Sequence, residues 1–221
     1  MSVDPLWAKY APLQPYHYAG NEPVARLDPT GLWIEAKTAG AQQAVKESLP
    51  ERLRDHAVFN SDGILDVESI KRGAEGHDLN SNIAILSRLA ENESTIEIYV
   101  VDEFDAMRLD GTVVSTSFSN FDTERKSLHG LTLAPRSDRE KSGLDEGLPF
   151  STTGNTQVLI RKTDPDGPSK GSTAAHEICS HSRFIMLCRI GKAATAAHGP
   201  DGQLNDVDRA ATRAEQEADS R

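Results

Sequence analysis

One nine-residue stretch, Thr173-Ala174-Ala175-His176-Glu177-Ile178-Cys179-Ser180-His181, concentrates the side chains able to do chemistry. Two imidazoles are good ligands for zinc, and a carboxylate beside the first can act as general base on a water held by the ion. Histidines four apart share one face of a helix. Here they stand five apart. On a regular α-helix, five steps of ~100° turn the second side chain about 140° away from the first. One extra residue in the turn, a π-bulge between Glu177 and His181, brings the rings back to one face, and such bulges recur at functional sites. The spacing thus predicts a π-bulge wherever this pair binds metal.

The flanking elements must hold that stretch. Ser169 to Ile190 is apolar on one side, with Ser169 or Ser172 as cap and Gly191 near its end, and reads as a helix. A small-residue loop, Gly191 to Gly202, carries His198. Leu204 to Ala218 follows as a polar helix, with Asp206 and Asp208 in its first turn, where carboxylates favour the helix dipole. Upstream, Ala41 to Phe59 has helical spacing broken by Pro50, Asn60 to Gly63 is a turn, and Val67 to Lys71 and Ser81 to Leu89 are short helices. Strands are expected at Thr95 to Val101, Thr112 to Phe118, His129 to Ala134 and Thr156 to Arg161, rich in Val, Ile, Leu and Thr. Asp102, Glu103 and Asp105 read as a solvated turn. His77 and His129 read as solvated histidines. Pro135 to Asn155 is a polar loop of a length usually functional or mobile. The expected fold is α+β, a small sheet flanked by helices.

The chain has 221 residues, a net charge of −10 and 37% hydrophobic residues, enough for one ordinary domain plus an appendage. Apolar residues recur periodically, which excludes a disordered chain. The acidic balance, without a block of clustered Lys and Arg, argues against a nucleic-acid partner. Cys179 and Cys188 stand nine apart in one helical segment and point to different turns, which argues against a disulfide. No run of eighteen apolar residues marks a membrane span. Met1 to Pro15 lacks the basic region and apolar core of a secretory signal.

Met1 to about Trp33 is punctuated by turn dipeptides. It carries Asp4-Pro5, then Tyr16-His17-Tyr18-Ala19-Gly20-Asn21-Glu22-Pro23, then Asp28-Pro29-Thr30-Gly31-Leu32. In that order these elements resemble the end of the Rhs repeat-associated core, whose β-cocoon shell encloses a variable C-terminal toxin. The resemblance implies two domains, residues 1–33 as the end of the core and 34–221 as the toxin. It also implies self-cleavage after Leu32 with Asp4 and Asp28 as participants, contact-dependent or type VI delivery into a target cell, and a cognate immunity protein. The producing cell would hold the protein in its cytoplasm before export.

His176-Glu177-x-x-x-His181 is also similar to the H-E-x-x-x-H motif of dipeptidyl peptidase III-type metallopeptidases and of metallopeptidase toxins at the ends of polymorphic toxins. Those toxins share a G-[IV]-T-L-x-P strand, which stands here as Gly130-Leu131-Thr132-Leu133-Ala134-Pro135, followed by a polar loop, an apolar strand and the zinc helix. The resemblance implies a zincin-like fold in which a following helix supplies a carboxylate. The expected ligands of Zn2+ are His176, His181 and Glu215, with Glu217 in reserve and Glu177 as catalytic base. Ser180 stands where the family has glycine, and Cys179 beside it is a competing thiolate ligand. Asp206 and Asp208 are candidates to orient a ligand histidine. Thr156 to Arg161 is expected to be an edge strand that aligns an extended protein or peptide substrate. The rival expectations are a toxin that acts by binding, with a structural or lost metal site, and a nuclease-type toxin, which the charge disfavours.

Overall fold

The computed structural model describes residues 33–92, 94–108, 110–122, 127–135, 149–183, 185 and 206–220. Asp4, Asp28, Leu32, Cys188 and His198 lie outside the described residues, as does most of the loop expected between Pro135 and Asn155. Contacts divide the chain between Gly31 and Leu32, and every described residue belongs to the second unit.

The fold is α+β. Strand β1 (Ile34–Glu35) leads to α1 (Ala39–Glu47), whose first turn is capped by the Thr38 hydroxyl accepting from the Ala41 amide. Pro50 interrupts the helical run as its missing N–H requires, and a 3-10 turn, Glu51–His56, follows. Helix α2 (Val67–Ala74) starts on Asp66, whose carboxylate accepts from the amides of Glu68 and Ser69. Helix α3 (Asn82–Ala90) comes next, then β2 (Ile96–Val101). Strands β3 (Glu103–Met107) and β4 (Val113–Ser117) form an antiparallel hairpin. Strands β5 (Gly130–Leu133) and β6 (Thr156–Arg161), helix α4 (Lys170–His176) continuing as a π turn (Glu177–Ser182), and helix α5 (Asp206–Ala218) complete the chain.

The main sheet runs β1-β2-β6-β5, with β1, β2 and β6 parallel and β5 antiparallel to β6. This corrects the expectation for Thr156 to Arg161. The segment is an interior strand, buried over its first five residues, and a strand covered on both faces needs such a run. Among the described residues the edge strands are β1 and β5. A second correction concerns Glu103 and Asp105, which sit on strand β3. Their exposed side chains alternate with buried Phe104 and Ala106, so the polar half of the pattern masked a strand.

Each face of the sheet meets its own layer. Ile34, Ile96, Ile98, Val158 and Ile160 share a core with Val45, Leu49, Ile85, Leu89, Ala174 and Ile178 from the helices. Leu131, Leu133 and Leu159 face Phe104, Ala106 and Phe118, and the two phenyl rings meet edge-on at 5.3 Å. A buried carboxylate ties the segment before β6 to this sheet. Glu97 accepts from Thr153 Oγ1 (2.9 Å), Asn155 Nδ2 (2.8 Å), Gln157 Nε2 (3.2 Å) and the Tyr99 hydroxyl (3.0 Å). Burial, followed by the Glu97 charge, pushes the Tyr99 phenol up to about 12. Among the described residues, no helix is long and apolar enough to cross a membrane.

Helix α4 starts in close contact with the end of α1. A Cβ on Gly171 would meet the Glu47 Cβ and stand 2.5 Å from its carbonyl oxygen and 2.6 Å from its carbonyl carbon. Backbone cannot yield as a flexible side chain can. Gly171→Ala is therefore expected to destabilise the protein by about 1–3 kcal/mol in urea unfolding. An unchanged midpoint would show that the two helices are free to separate.

Candidate metal centre

Ser169 opens α4, its hydroxyl accepting from the Ser172 amide at 3.0 Å. Ala174 and Ala175 then face the core, as do Ile178 and Cys179 in the next turn. These i, i+4 pairs share one face in an α-helix, and the change to π geometry at Glu177 leaves both inside. Its i→i+5 bonding also stacks His181 one turn above His176. The two rings lie 5.1 Å apart between centroids, and their Nε2 atoms face each other at 3.2 Å. Two zinc ligands at about 2.0–2.1 Å and a tetrahedral angle stand about 3.3 Å apart. The pair is set at metal-ligand spacing.

His176 is braced from behind. Its Nδ1 lies 2.5 Å from Glu215 Oε1, on helix α5. A carboxylate there draws the ring proton to Nδ1 and leaves the Nε2 lone pair facing His181. The Glu177 side chain turns toward β5 and is buried, with Oε2 accepting from the Thr132 hydroxyl at 2.6 Å. His176, Glu177 and His181 form a group whose ligand atoms lie within 4.8 Å of one another. Among the described residues it is the one such group of three.

The structure brings together His176, Glu177 and His181 and places Glu215 and Glu217 outside that group. Glu215 touches the far nitrogen of His176, so it could ligate an ion between the Nε2 atoms only by leaving Nδ1. Glu217 accepts from the Asn82 amide at 3.0 Å and holds α5 to the start of α3. Asp206 pairs with Arg209 at 2.8 Å, and Asp208 lies half-buried in the same first turn. The expected thiolate competition is corrected. Cys179 is fully buried, its sulfur 3.9 Å from the Asn82 carbonyl, and burial pushes its thiol up to about 12. Ser180 is also fully buried, and among the described residues its hydroxyl has no hydrogen-bond partner. His129 is not simply solvated, because its Nδ1 lies 2.6 Å from Asp164 Oδ2.

Three residues that the sequence did not mark shape the centre. Gly130 leaves room for Glu177, because an added Cβ would stand 2.8 Å from its Cγ and Oε1. Thr132 supplies the hydroxyl on that carboxylate. Asn82 donates from Nδ2 to the carbonyls of Ser48 and Ala214, both at 2.8 Å, and so joins α1, α3 and α5. The first two lie within a segment already singled out, Gly130 to Pro135, which carried no role for either. Nothing in the chain around Asn82 signals its work, since its partners are more than thirty residues away.

No family model, curated protein or solved structure matches this chain.

Glu215→Ala removes the brace and is expected to weaken binding of a divalent metal ion at this candidate centre about 10–100-fold, measured with zinc as the probe by competition with a chromophoric chelator. Glu215→Gln keeps an acceptor and should lose less. Equal affinity in wild type and the alanine variant would exclude a role for this carboxylate at the metal.

Proposed function

We propose that the chain is a zinc metallopeptidase, the toxin part of an Rhs-type polymorphic toxin that cuts a protein or peptide in a target cell. One observation carries the enzymatic part: the facing Nε2 atoms of His176 and His181 on a π turn, with the Glu177 carboxylate in the same group. A surface or core histidine pair has no need of that arrangement. The donor set suits zinc, which takes imidazole nitrogen at this spacing.

When bound, the ion acidifies a water and polarises a carbonyl. The remaining work belongs to the chain. His176 and His181 would hold the ion, and Glu215 keeps His176 in the tautomer and orientation that this needs. Glu177 takes the proton of the attacking water and passes it to the leaving amine. Among the described residues, β5 ends the sheet. Its register with β6, continued by the Arg161 amide donating to the His129 carbonyl, turns the backbone groups of Gly130 and Thr132 to the outer side. An extended peptide pairing there would pass beside Glu177.

The toxin context rests on the resemblance of residues 4–32 to the end of the Rhs core. An immunity protein that covers the site would meet a chain of net charge −10, which favours a basic partner surface. A toxin that acts by binding, with the metal only structural, remains the rival.

Elemental analysis of the purified protein tests the reading. Wild type and Glu177→Ala are expected to hold about one zinc per chain, and His181→Ala to lose it. Peptide hydrolysis should fall about 10²–10⁴-fold in Glu177→Ala. No zinc in wild type, and none taken up on titration, would sink the peptidase; zinc held without hydrolysis would favour the binding toxin.

A further inference from the structure

Strand β5 presents two same-face positions to the π turn, and they do different things to one side chain. At Gly130 the missing Cβ is the space that Glu177 occupies, with Cγ and Oε1 both 2.8 Å from where that carbon would be. Thr173 closes the same space, its Cγ2 standing 2.7 Å from it. At Thr132, two residues along, the hydroxyl lies 2.6 Å from Oε2 of Glu177 and 3.4 Å from its backbone carbonyl oxygen. A glutamate has three side-chain torsions and, left alone, samples many rotamers. Here the gap admits the chain and the hydroxyl fixes its end. Oε1 carries no hydrogen bond among the described residues, so it is the oxygen left for a water.

We propose that Thr132 is a positioning residue for the peptidase reaction. It donates to Oε2 and so holds Glu177 in the single rotamer that leaves Oε1 available as base, with Gly130 supplying the room. The inference rests on the peptidase reading but names a different contact. A short, charge-assisted O–H···O hydrogen bond is strong enough for the task. It acts on orientation, where misplacement by about 1 Å can cost on the order of 10²-fold in rate.

The variants are Thr132→Val, which keeps the shape and removes the hydroxyl, and Thr132→Ser, which restores it. With quenched fluorescent peptides as the probe, Thr132→Val is expected to lower kcat about 10–100-fold with KM and zinc content unchanged. Thr132→Ser should recover most of the loss. A merely structural role would move stability or zinc content instead and would not be rescued in kcat alone. An activity-independent arm uses zinc-free protein, with urea midpoints for Thr132→Val, Glu177→Gln and the double variant. Shifts that fail to add support the contact. Additive shifts, or an unchanged kcat in Thr132→Val, overturn the inference while leaving the peptidase standing. A wild type that holds zinc, shows the non-additive shifts and cleaves nothing overturns the positioning role together with the peptidase.

Discussion

Two imidazoles five residues apart can meet over one ion only if the helix between them carries i→i+5 hydrogen bonds, and most of the site follows from that requirement. The turn from Glu177 to Ser182 meets it. Its extra residue must be absorbed without rotating the apolar side out of the core, and the placement of Ala174, Ala175, Ile178 and Cys179 shows how. All four stay buried while the two histidines face each other outside them. Such a turn is a poorer hydrogen-bonding arrangement than an α-helix, so its surroundings must keep it in place. The close seat of Gly171 on α1 fixes the N-terminal side of the helix, and the buried Cys179 beside Asn82 fixes the far side.

Three glutamates surround the centre, and environment gives each a different task. Glu177 is buried against β5 and tied to a hydroxyl. Glu215 is partly exposed and tied to the imidazole of His176. Glu217, half a turn further on the same helix, is tied to a backbone amide of α3. The last contact matters to the second, because Asn82 and Glu217 together hold α5 where Glu215 can reach the ring. The pairing of Glu215 with His176 at the candidate metal centre thus depends on a structural contact across three helices.

The sheet divides its labour in a similar way. Its interior strands, β2 and β6, contribute apolar side chains to both cores. Edge strand β5 gives up side-chain bulk at Gly130 and contributes a hydroxyl at Thr132 to serve the π turn. Polar groups also enter the sheet around Glu97, where four donors satisfy one carboxylate and secure the chain entering β6.

The sequence by itself determined the local facts. The spacing of His176 and His181 called for a π turn if the two rings were to share one ion, Pro50 broke the first helical run, and the cap of the next helix was narrowed to Ser169 or Ser172, of which the structure uses Ser169. Each depends on backbone geometry within a few residues, and that geometry is written in residue type and spacing. What only the tertiary structure decided were matters of neighbourhood. Strand order made β6 an interior strand and β5 an edge, though both read from the sequence simply as short strands. Helix packing put Glu215 behind His176 and sent Glu217 to α3, though the two stand two residues apart in one acidic turn. It also chose Asn82, Gly130 and Thr132 for work that their own surroundings in the chain do not signal. A contact between residues far apart in sequence is fixed by how whole elements pack, and periodicity within one element carries no record of what another will bring against it.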